Sequence, residues 1–555
     1  MFDILTNVTS LSLTNRQLTG HREHLRRGRV ELRTRGASGE GEFSSGSDSE
    51  ACGHCRRGGF GALSGEASPC CIITKFDAMP SPVALLLLLL LAAPSPSADA
   101  FLFSGDVHDN LNATVAHVFR VVRRCIGAFG PDDHLHPGHG PGHAEPPATP
   151  LNPPYREPPP SSVELCASRG FQCERHEVRT ADGYTLALVH VLGRAGAARV
   201  AGQTPVLVQH GMLMSSDAYL LRKDDDNLPL ILSGAGFDVW VGNYRGNAVS
   251  PHEHVTLSPD SYQFWNFSWH EMGLHDLPAL VDYVLERSGQ DDLHYIGHSM
   301  GSTGMMVLLS SRPEYNRKIR LATFLAPVAY VSRLRSRLFT QLASVAGRIK
   351  DFLVSHRIWN VLPRSAAIHR LADTLCLFPG ADKLVCNPLL FEIAGHSPEH
   401  VLPNYASLIG AYLPAGTTIR IMEHYYEVAR TGKFRPLGYG MGDPNPGAEY
   451  NIAAITAPVA LYYSANDYFV YPPDVEQLAN DLPNVFHKYL VPDSTFNHFD
   501  FILGVDARQL LFKEVLGVML QREAALNSLH SQTHSFNPND LLVHYLLSQK
   551  KSLYF

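Results

Sequence analysis

The sequence predicts an α/β protein with a mostly parallel central sheet, helices on both of its faces and a helical insertion. Three observations carry that prediction. Short apolar runs, PVLVQHG, FDVWVGN, LHYIGHS, LATFLAP and PVALYYSAND, have the length and composition of buried strands. Between them lie segments such as LHDLPALVDYVLERSG and MGSTGMMVLLSSRP, whose apolar residues recur three and four apart, and strand alternating with helix is the order that builds a parallel sheet. The rhythm breaks between residues 330 and 450, where amphipathic pieces such as RLFTQLASVAGRIKDFLV occur without a clear strand. That stretch reads as a helical insertion in the sheet domain.

Taken in order, residues 1–78 are rich in Ser, Gly, Arg and Glu and keep no sustained period, the pattern of a disordered extension. Within them Cys52 and Cys55, with Cys70 and Cys71, lack the second ligand pair at the spacing a zinc site needs. Residues 79–100 read MPSPVALLLLLLLAAPSPSADA, an apolar block closed by Ala98-Asp99-Ala100 in the small-x-small form of a signal-peptidase site. The block is shorter than the roughly 20 apolar residues of a bilayer span, so it reads as a secretory signal, with translation starting at Met79. No stable transmembrane segment is expected in the mature chain.

Residues 101–162 are a linker or pro-segment, rich in Pro, Gly and His over most of their length. His134, His136, His139 and His143 lie in this linker, which offers no rigid geometry for a metal. A folded pattern begins near 163. ERHEVRTADGYTLALVHV holds two alternating segments about Asp182-Gly183, a strong hairpin signal. The core is expected in two parts, 163–329 and 451–525, on either side of the insertion at 330–450. Residues 526–555 carry no evident role.

A formal net charge of -7 and 18% charged residues give no basic excess, which argues against nucleic acid as a partner. Nine cysteines are too few for a disulfide scaffold in 555 residues, so the core must come mainly from apolar packing.

The chemistry is expected where LHYIGHS meets the next helix, at Gly297-His298-Ser299-Met300-Gly301. A serine hydroxyl is a poor nucleophile at neutral pH; it needs a base, an acid that orients the base, and donors for the oxyanion. At a strand-to-helix junction flanking glycines let backbones approach and hold the serine on a strained turn. The partners should follow in the order acid, then histidine. Asp467 ends the strand PVALYYSAND, at the carboxyl edge where α/β sites gather, whereas Asp474 is better explained as an N-cap. His498 lies in STFNHFDFILG before the last amphipathic helix, and Asp500 reads as a helix-start carboxylate. His298, next to Ser299 on a sharp turn, should point elsewhere. Two backbone N–H groups complete the set: Met300 after the serine, and Met212 after the strand ending in His210-Gly211.

Together these residues resemble the acid lipases, the family of lysosomal acid lipase and gastric lipase, on the α/β-hydrolase fold. The resemblance spans roughly residues 163–523. It rests on TADGYTLALVHV, VLVQHGMLMSS, VGNYRGNAVS, SPDSYQFWNFSWHEMGLHDLPALVDYVLERSGQDDLHYIGHSMGS, FLAPVA, PAGTTIRIMEHYYEVARTGKF and the blocks around Asp467 and His498. It implies a serine hydrolase of neutral-lipid esters, triacylglycerols or cholesteryl esters, working at a lipid–water interface without a metal or other cofactor. It implies Ser299, Asp467 and His498 as catalytic triad and Met212 and Met300 as oxyanion donors. Many members carry Gln where this chain has Met300 and Leu where it has Met212; neither change removes a backbone N–H.

The resemblance also implies a cap and lid at 330–450 and a cap disulfide between Cys376 and Cys386. Cys166 and Cys173 are an additional pair of cysteines outside the family pattern, and their spacing alone does not say whether they bond. A secreted or lysosomal destination follows from the signal-like segment, and Asn112 and Asn266 are candidate N-glycosylation sites in sequons. The competing readings are a catalytically inactive lipid-binding relative and an esterase for small soluble esters.

Overall fold

The computed structural model describes residues 159–531, apart from 199, 224, 345, 366–368, 370–385, 402–404 and 439–446. The expected extension, signal segment and linker up to 158, with Asn112, lie outside the described residues, as do Cys376 and most of the C-terminal tail.

One sheet organises the chain. Its strands are β1 (Phe171–Arg179), β2 (Thr185–Arg194), β3 (Pro205–Gln209), β4 (Asp238–Gly242), β5 (Leu293–His298), β6 (Ile319–Leu325), β9 (Val459–Tyr463) and β10 (Val485–Leu490), in the order β1-β2-β4-β3-β5-β6-β9-β10. The strands β7 (Asn360–Val361) and β8 (Thr417–Thr418) form a separate short antiparallel ladder. β1 pairs antiparallel with β2 and β2 with β4, while every later pairing in the large sheet is parallel. β3, β5 and β9 are buried throughout, as uninterrupted Val, Leu, Ile and Tyr runs require when helices cover both faces.

Besides single turns at Tyr262–Trp265 and Trp269–Glu271, the α-helices among the described residues are α1 (Ser162–Ser168), α2 (Leu228–Gly234), α3 (Leu277–Ser288), α4 (Met300–Ser311), α5 (Arg337–Ser344), α6 (Ala346–Ser355), α7 (Asn387–Ala394), α8 (Tyr405–Tyr412), α9 (Ile419–Thr431), α10 (Pro472–Asp481), α11 (Asp500–Leu503) and α12 (Lys513–Ser531). α1 opens the described fold on a capping box. The Ser161 hydroxyl accepts from the Glu164 N–H, and the Glu164 carboxylate accepts from the Ser161 N–H at 2.8 Å. A disulfide between Cys166 and Cys173 ties α1 to β1. α3 ends at Gly289, whose φ of 66° is the left-handed cap that terminates helices.

The hairpin about Asp182-Gly183, the strands and the α3 and α4 helices lie where the apolar pattern predicts them. Three details differ. β10 is a half-exposed edge strand that the pattern did not reveal. The insertion, expected without strands, contains the β7–β8 ladder. Asp474 is not an N-cap: Tyr471 holds that position, and Asp474 sits in the first turn of α10 accepting the Ser332 N–H at 2.8 Å.

The strand order fixes where a site belongs. The chain runs from β3 to β4 on one side, then crosses to β5 on the other, so the order reverses between β3 and β5. The crevice outside the carboxyl ends of strands at such a switch point is where ligands bind open α/β sheets. Ser299 follows β5 and Gly211 follows β3. Ala415 of the insertion at 330–450 borders the loops after β3 and β4, since the Ala415 N–H donates to Leu213 O at 2.7 Å and the Ala248 N–H to Ala415 O at 2.8 Å. Among the described residues no helix is long and apolar enough to cross a membrane.

Candidate active site

Ser299 occupies a conformation that most residues avoid, with φ 52° and ψ -117°. Its N–H donates to Leu325 O at 2.9 Å, at the end of β6, so a bond just past the last β5–β6 pair holds the turn in place. The glycines make that turn possible. A Cβ on Gly297 would lie 2.7 Å from the Gly301 carbonyl carbon, and one on Gly301 would lie 2.6 Å from Gln209 O. Backbone atoms cannot yield as a flexible side chain can, so α4 starts hard against β3 and β5 only with glycine at both sites. The turn leaves Ser299 partly exposed while His298 and Met300 on either side are buried.

Asp467 and His498 meet below solvent. The Nδ1–H of His498 donates to Asp467 Oδ2 at 2.7 Å, with Asp467 fully buried and His498 only 4% exposed. The other carboxylate oxygen, Oδ1, accepts from the Phe469 and Val470 N–H groups at 2.8 and 2.9 Å. Held by these three hydrogen bonds, the carboxylate fixes the imidazole tautomer and leaves Nε2 with its lone pair. His498 and the residue before Ser299 are in contact: His298 Nε2–H donates to His498 O at 3.1 Å, and the two rings lie 4.8 Å apart. His298 therefore points under the His498 loop, and burial pushes its pKa well below the ordinary value.

Met300 opens α4, where backbone N–H groups have no partner within the helix. Gly211 approaches from β3 so closely that a Cβ there would lie 3.0 Å from Ser299 Cβ. The expected serine, acid, histidine and two backbone donors thus lie on four loops at the carboxyl end of the sheet. Asp500 opens α11 and accepts from the Asn497 N–H at 2.7 Å and the Ser397 hydroxyl at 2.6 Å, away from the Asp467–His498 pair.

With this geometry stand the sequence relationships. The model of a partial α/β-hydrolase lipase region matches residues 162–223, and that of the α/β-hydrolase fold matches 204–353. Lipase 1 of Drosophila melanogaster is 34% identical over 363 residues, covering 64% of this chain and 79% of that protein. Gastric triacylglycerol lipase of Bos taurus is 34% identical over 361 residues, 63% of this chain and 89% of its own. The human gastric triacylglycerol lipase is 30% identical over 414 residues, 73% of this chain and 98% of its own. The chain belongs to the acid lipase family.

As an acid lipase on the α/β-hydrolase fold it is a carboxylic ester hydrolase, and two features of its site go beyond the expected residues. The first is His210, which is buried and held at both ring nitrogens. Its Nδ1–H donates to Gly211 O at 2.8 Å, while Nε2 accepts from the Tyr244 N–H at 3.2 Å and the Asn247 side-chain amide at 3.0 Å. The second is the end of α7. Ala394 O accepts from the Tyr468 N–H at 3.2 Å and the His498 N–H at 3.3 Å, and Gly395 O accepts from the Asn497 amide at 2.9 Å. A single carbonyl in the insertion thus braces both the loop of Asp467 and the loop of His498. Sequence offers no period or motif for such a brace; only the His-Gly pair at the end of β3 signals His210.

Two further candidates of this acid lipase fall on described residues, Cys386 and Asn266. Cys386 is disulfide-bonded to a partner outside the described residues. Asn266 is exposed at the end of a short turn, where the Tyr262 hydroxyl donates to its Oδ1 at 3.0 Å.

Proposed function

We propose that this chain hydrolyses acyl esters of neutral lipids, triacylglycerols or cholesteryl esters, by two-step acyl transfer with Ser299 as nucleophile. The buried His498–Asp467 bond of 2.7 Å beside the strained Ser299 turn carries the proposal. In the first step His498 Nε2 takes the Ser299 proton as Oγ attacks the ester carbonyl, and the negative oxygen is held by the Met212 and Met300 N–H groups. The C–O bond to the alcohol then breaks as His498 returns the proton to the leaving oxygen. In the second step a water gives its proton to His498 and attacks the acyl-enzyme, and the collapse that frees the fatty acid restores Ser299.

Segment 330–450 is proposed as the cap that receives lipid, with core parts at 163–329 and 451–525. Exposed Phe352 and Val354 on α6 support that role, since apolar side chains in water favour a lipid surface. The substrates named for the gastric lipases support the same class, and entry to the secretory pathway through 79–100, ending outside the cell or in lysosomes, is part of the reading. A Cys376–Cys386 bridge and glycans at Asn112 and Asn266 belong to it as well.

The test compares wild type with Ser299→Ala on dispersed triolein, dispersed cholesteryl oleate and a soluble short-chain ester, with fluorophosphonate labelling of both. Wild type should hydrolyse the dispersed lipids and take the label, and Ser299→Ala should lose several orders of magnitude in kcat. Full activity in Ser299→Ala refutes the assignment. Hydrolysis confined to the soluble ester selects the small-ester esterase, and an unlabelled, inactive wild type selects the lipid-binding relative.

A further inference from the structure

We propose that Glu174, His176 and His190 form a binding site for a divalent transition-metal ion of the zinc class, on the β1–β2 hairpin and separate from the ester-hydrolysing centre. The register of the hairpin puts the three on one face. Glu174 pairs directly with His190 across the strands, and His176 lies two residues along β1 from Glu174. His176 Nε2 is 2.9 Å and His190 Nδ1 is 3.3 Å from the same oxygen, Glu174 Oε1, and one ligand atom from each residue lies within 4.8 Å of the others. Bonds of about 2.0–2.1 Å to a tetrahedral zinc separate neighbouring ligands by about 3.4 Å. Both contacts to Glu174 Oε1 are already near that spacing.

Hydrogen-bond accounting points to a cation between them. Asp238 Oδ1 lies 2.6 Å from His190 Nε2, and a carboxylate accepts, so Nε2 carries the proton. In the neutral ring His190 Nδ1 is then a bare lone pair, and it faces another acceptor, the Glu174 carboxylate. Either a second proton on His190 or a metal ion reconciles the two. The outer groups have the arrangement of metal-binding histidines, whose far ring nitrogen is anchored by a carboxylate or hydroxyl. Asp238 anchors His190 and is itself fixed by the Trp240 Nε1–H at 2.8 Å, while the Tyr283 hydroxyl of α3 is 3.0 Å from His176 Nδ1. His190 is stacked on Trp240 with ring centroids 3.6 Å apart, which holds its plane.

The charges fit as well. Two imidazoles and a carboxylate are a borderline donor set suited to zinc, and with Asp238 behind them two negative charges balance the ion. Arg287 on α3 is the cation whose field reaches His176. Glu174 is exposed and His190 buried, so the fourth position opens toward water. β2 lies three strands from β5 in the sheet, so such an ion would clamp the antiparallel edge of the sheet and take no part in acyl transfer.

The experiment strips the full-length protein with a chelator, adds zinc chloride, and measures bound zinc per chain and the shift in Tm. Wild type should retain one zinc that Glu174→Gln and His176→Gln each lose, with a zinc-dependent rise in Tm absent from both variants. Cobalt(II) should give tetrahedral absorption bands in wild type alone. Asp238→Asn should weaken binding by about 10–100-fold. Soluble-ester hydrolysis should be unchanged in Glu174→Gln, and Ser299→Ala should bind zinc normally. Zinc uptake identical in wild type and both ligand variants would place the metal elsewhere, for example on the histidine-rich linker, and overturn the proposal. So would a wild type that takes up no zinc, with His190 doubly protonated by NMR.

Discussion

His210 bears on the proposed oxyanion donor Met212 through the backbone. A trans peptide directs its C=O and N–H to opposite sides, so the bond from His210 Nδ1–H to Gly211 O also aims the Met212 N–H of the same peptide away from His210. The Tyr244 and Asn247 donors at Nε2 require the ring to be neutral, and burial pushes its pKa down to about 4, so the strut persists through the mildly acid range. Replacing His210 with Ala should lower kcat by about 10–100-fold with KM little changed, somewhat less than deleting an oxyanion donor outright. Fluorophosphonate labelling of Ser299 should slow by a similar factor, whereas a merely destabilised enzyme would keep its rate per folded molecule. The sequence makes the proposed triad of Ser299, Asp467 and His498 legible because glycine flanks and chain order are local or ordinal facts. His210 is only half legible, since its role depends on Tyr244 and Asn247 arriving from the loop after β4.

The His498 loop is braced as an element, by α7 on one side and by α11 on the other. Asp500 takes the Ser397 hydroxyl and the Asn497 N–H on a single oxygen, Oδ2, and burial pushes its pKa up to about 7. A carboxyl raised in the folded state from 3.8 contributes stability that is complete below about pH 4 and is lost as pH rises through about 7. Asp500→Asn removes the titration and keeps an acceptor oxygen for both bonds. The variant should therefore gain stability relative to wild type as pH is raised from about 4 to about 7; a Tm difference that stays constant over that window would refute this. Elements differ in how readily sequence reveals them. β3, β5 and β9 are continuous apolar runs because both their faces are covered, while β10, at the sheet edge, mixes Lys488 and His487 with Phe486 and Tyr489 and shows neither a buried nor an alternating pattern. The β7–β8 ladder spans two residues per strand and is set by where the insertion folds back, so no local period marks it.

Across the whole molecule the sheet has two working ends. Its carboxyl ends carry Ser299, Asp467 and His498, and its amino ends are tied to the last helix by Glu523 of α12. Arg320, at the start of β6, meets Glu523 Oε2 at 2.8 Å; His294, at the start of β5, donates to Glu523 Oε1 at 2.8 Å; and the Thr204 hydroxyl before β3 donates to Oε2 at 3.0 Å. Burial pushes the Glu523 carboxyl up, but the bonds and charge from His294 and Arg320 outweigh it and hold it at about 2. The depressed value means that this stability is present above the unfolded pKa of 4.5 and is lost only as pH falls toward about 2, so three strands stay fastened to α12 in acid. Arg320→Met leaves that carboxylate without its guanidinium. The expected loss at pH 7 is roughly 2–3 kcal/mol, below the ~3–5 kcal/mol of a fully buried pair because both side chains keep some solvent contact. At pH 4 the orphaned carboxyl can take up a proton and the deficit should shrink. Denaturant unfolding of the two proteins at both pH values reads the difference directly, and a deficit that grows in acid would mean that Glu523 is not the group Arg320 holds ionised. Specific activity per folded molecule toward a soluble ester should be unchanged, because the tie lies at the end of the strands opposite Ser299.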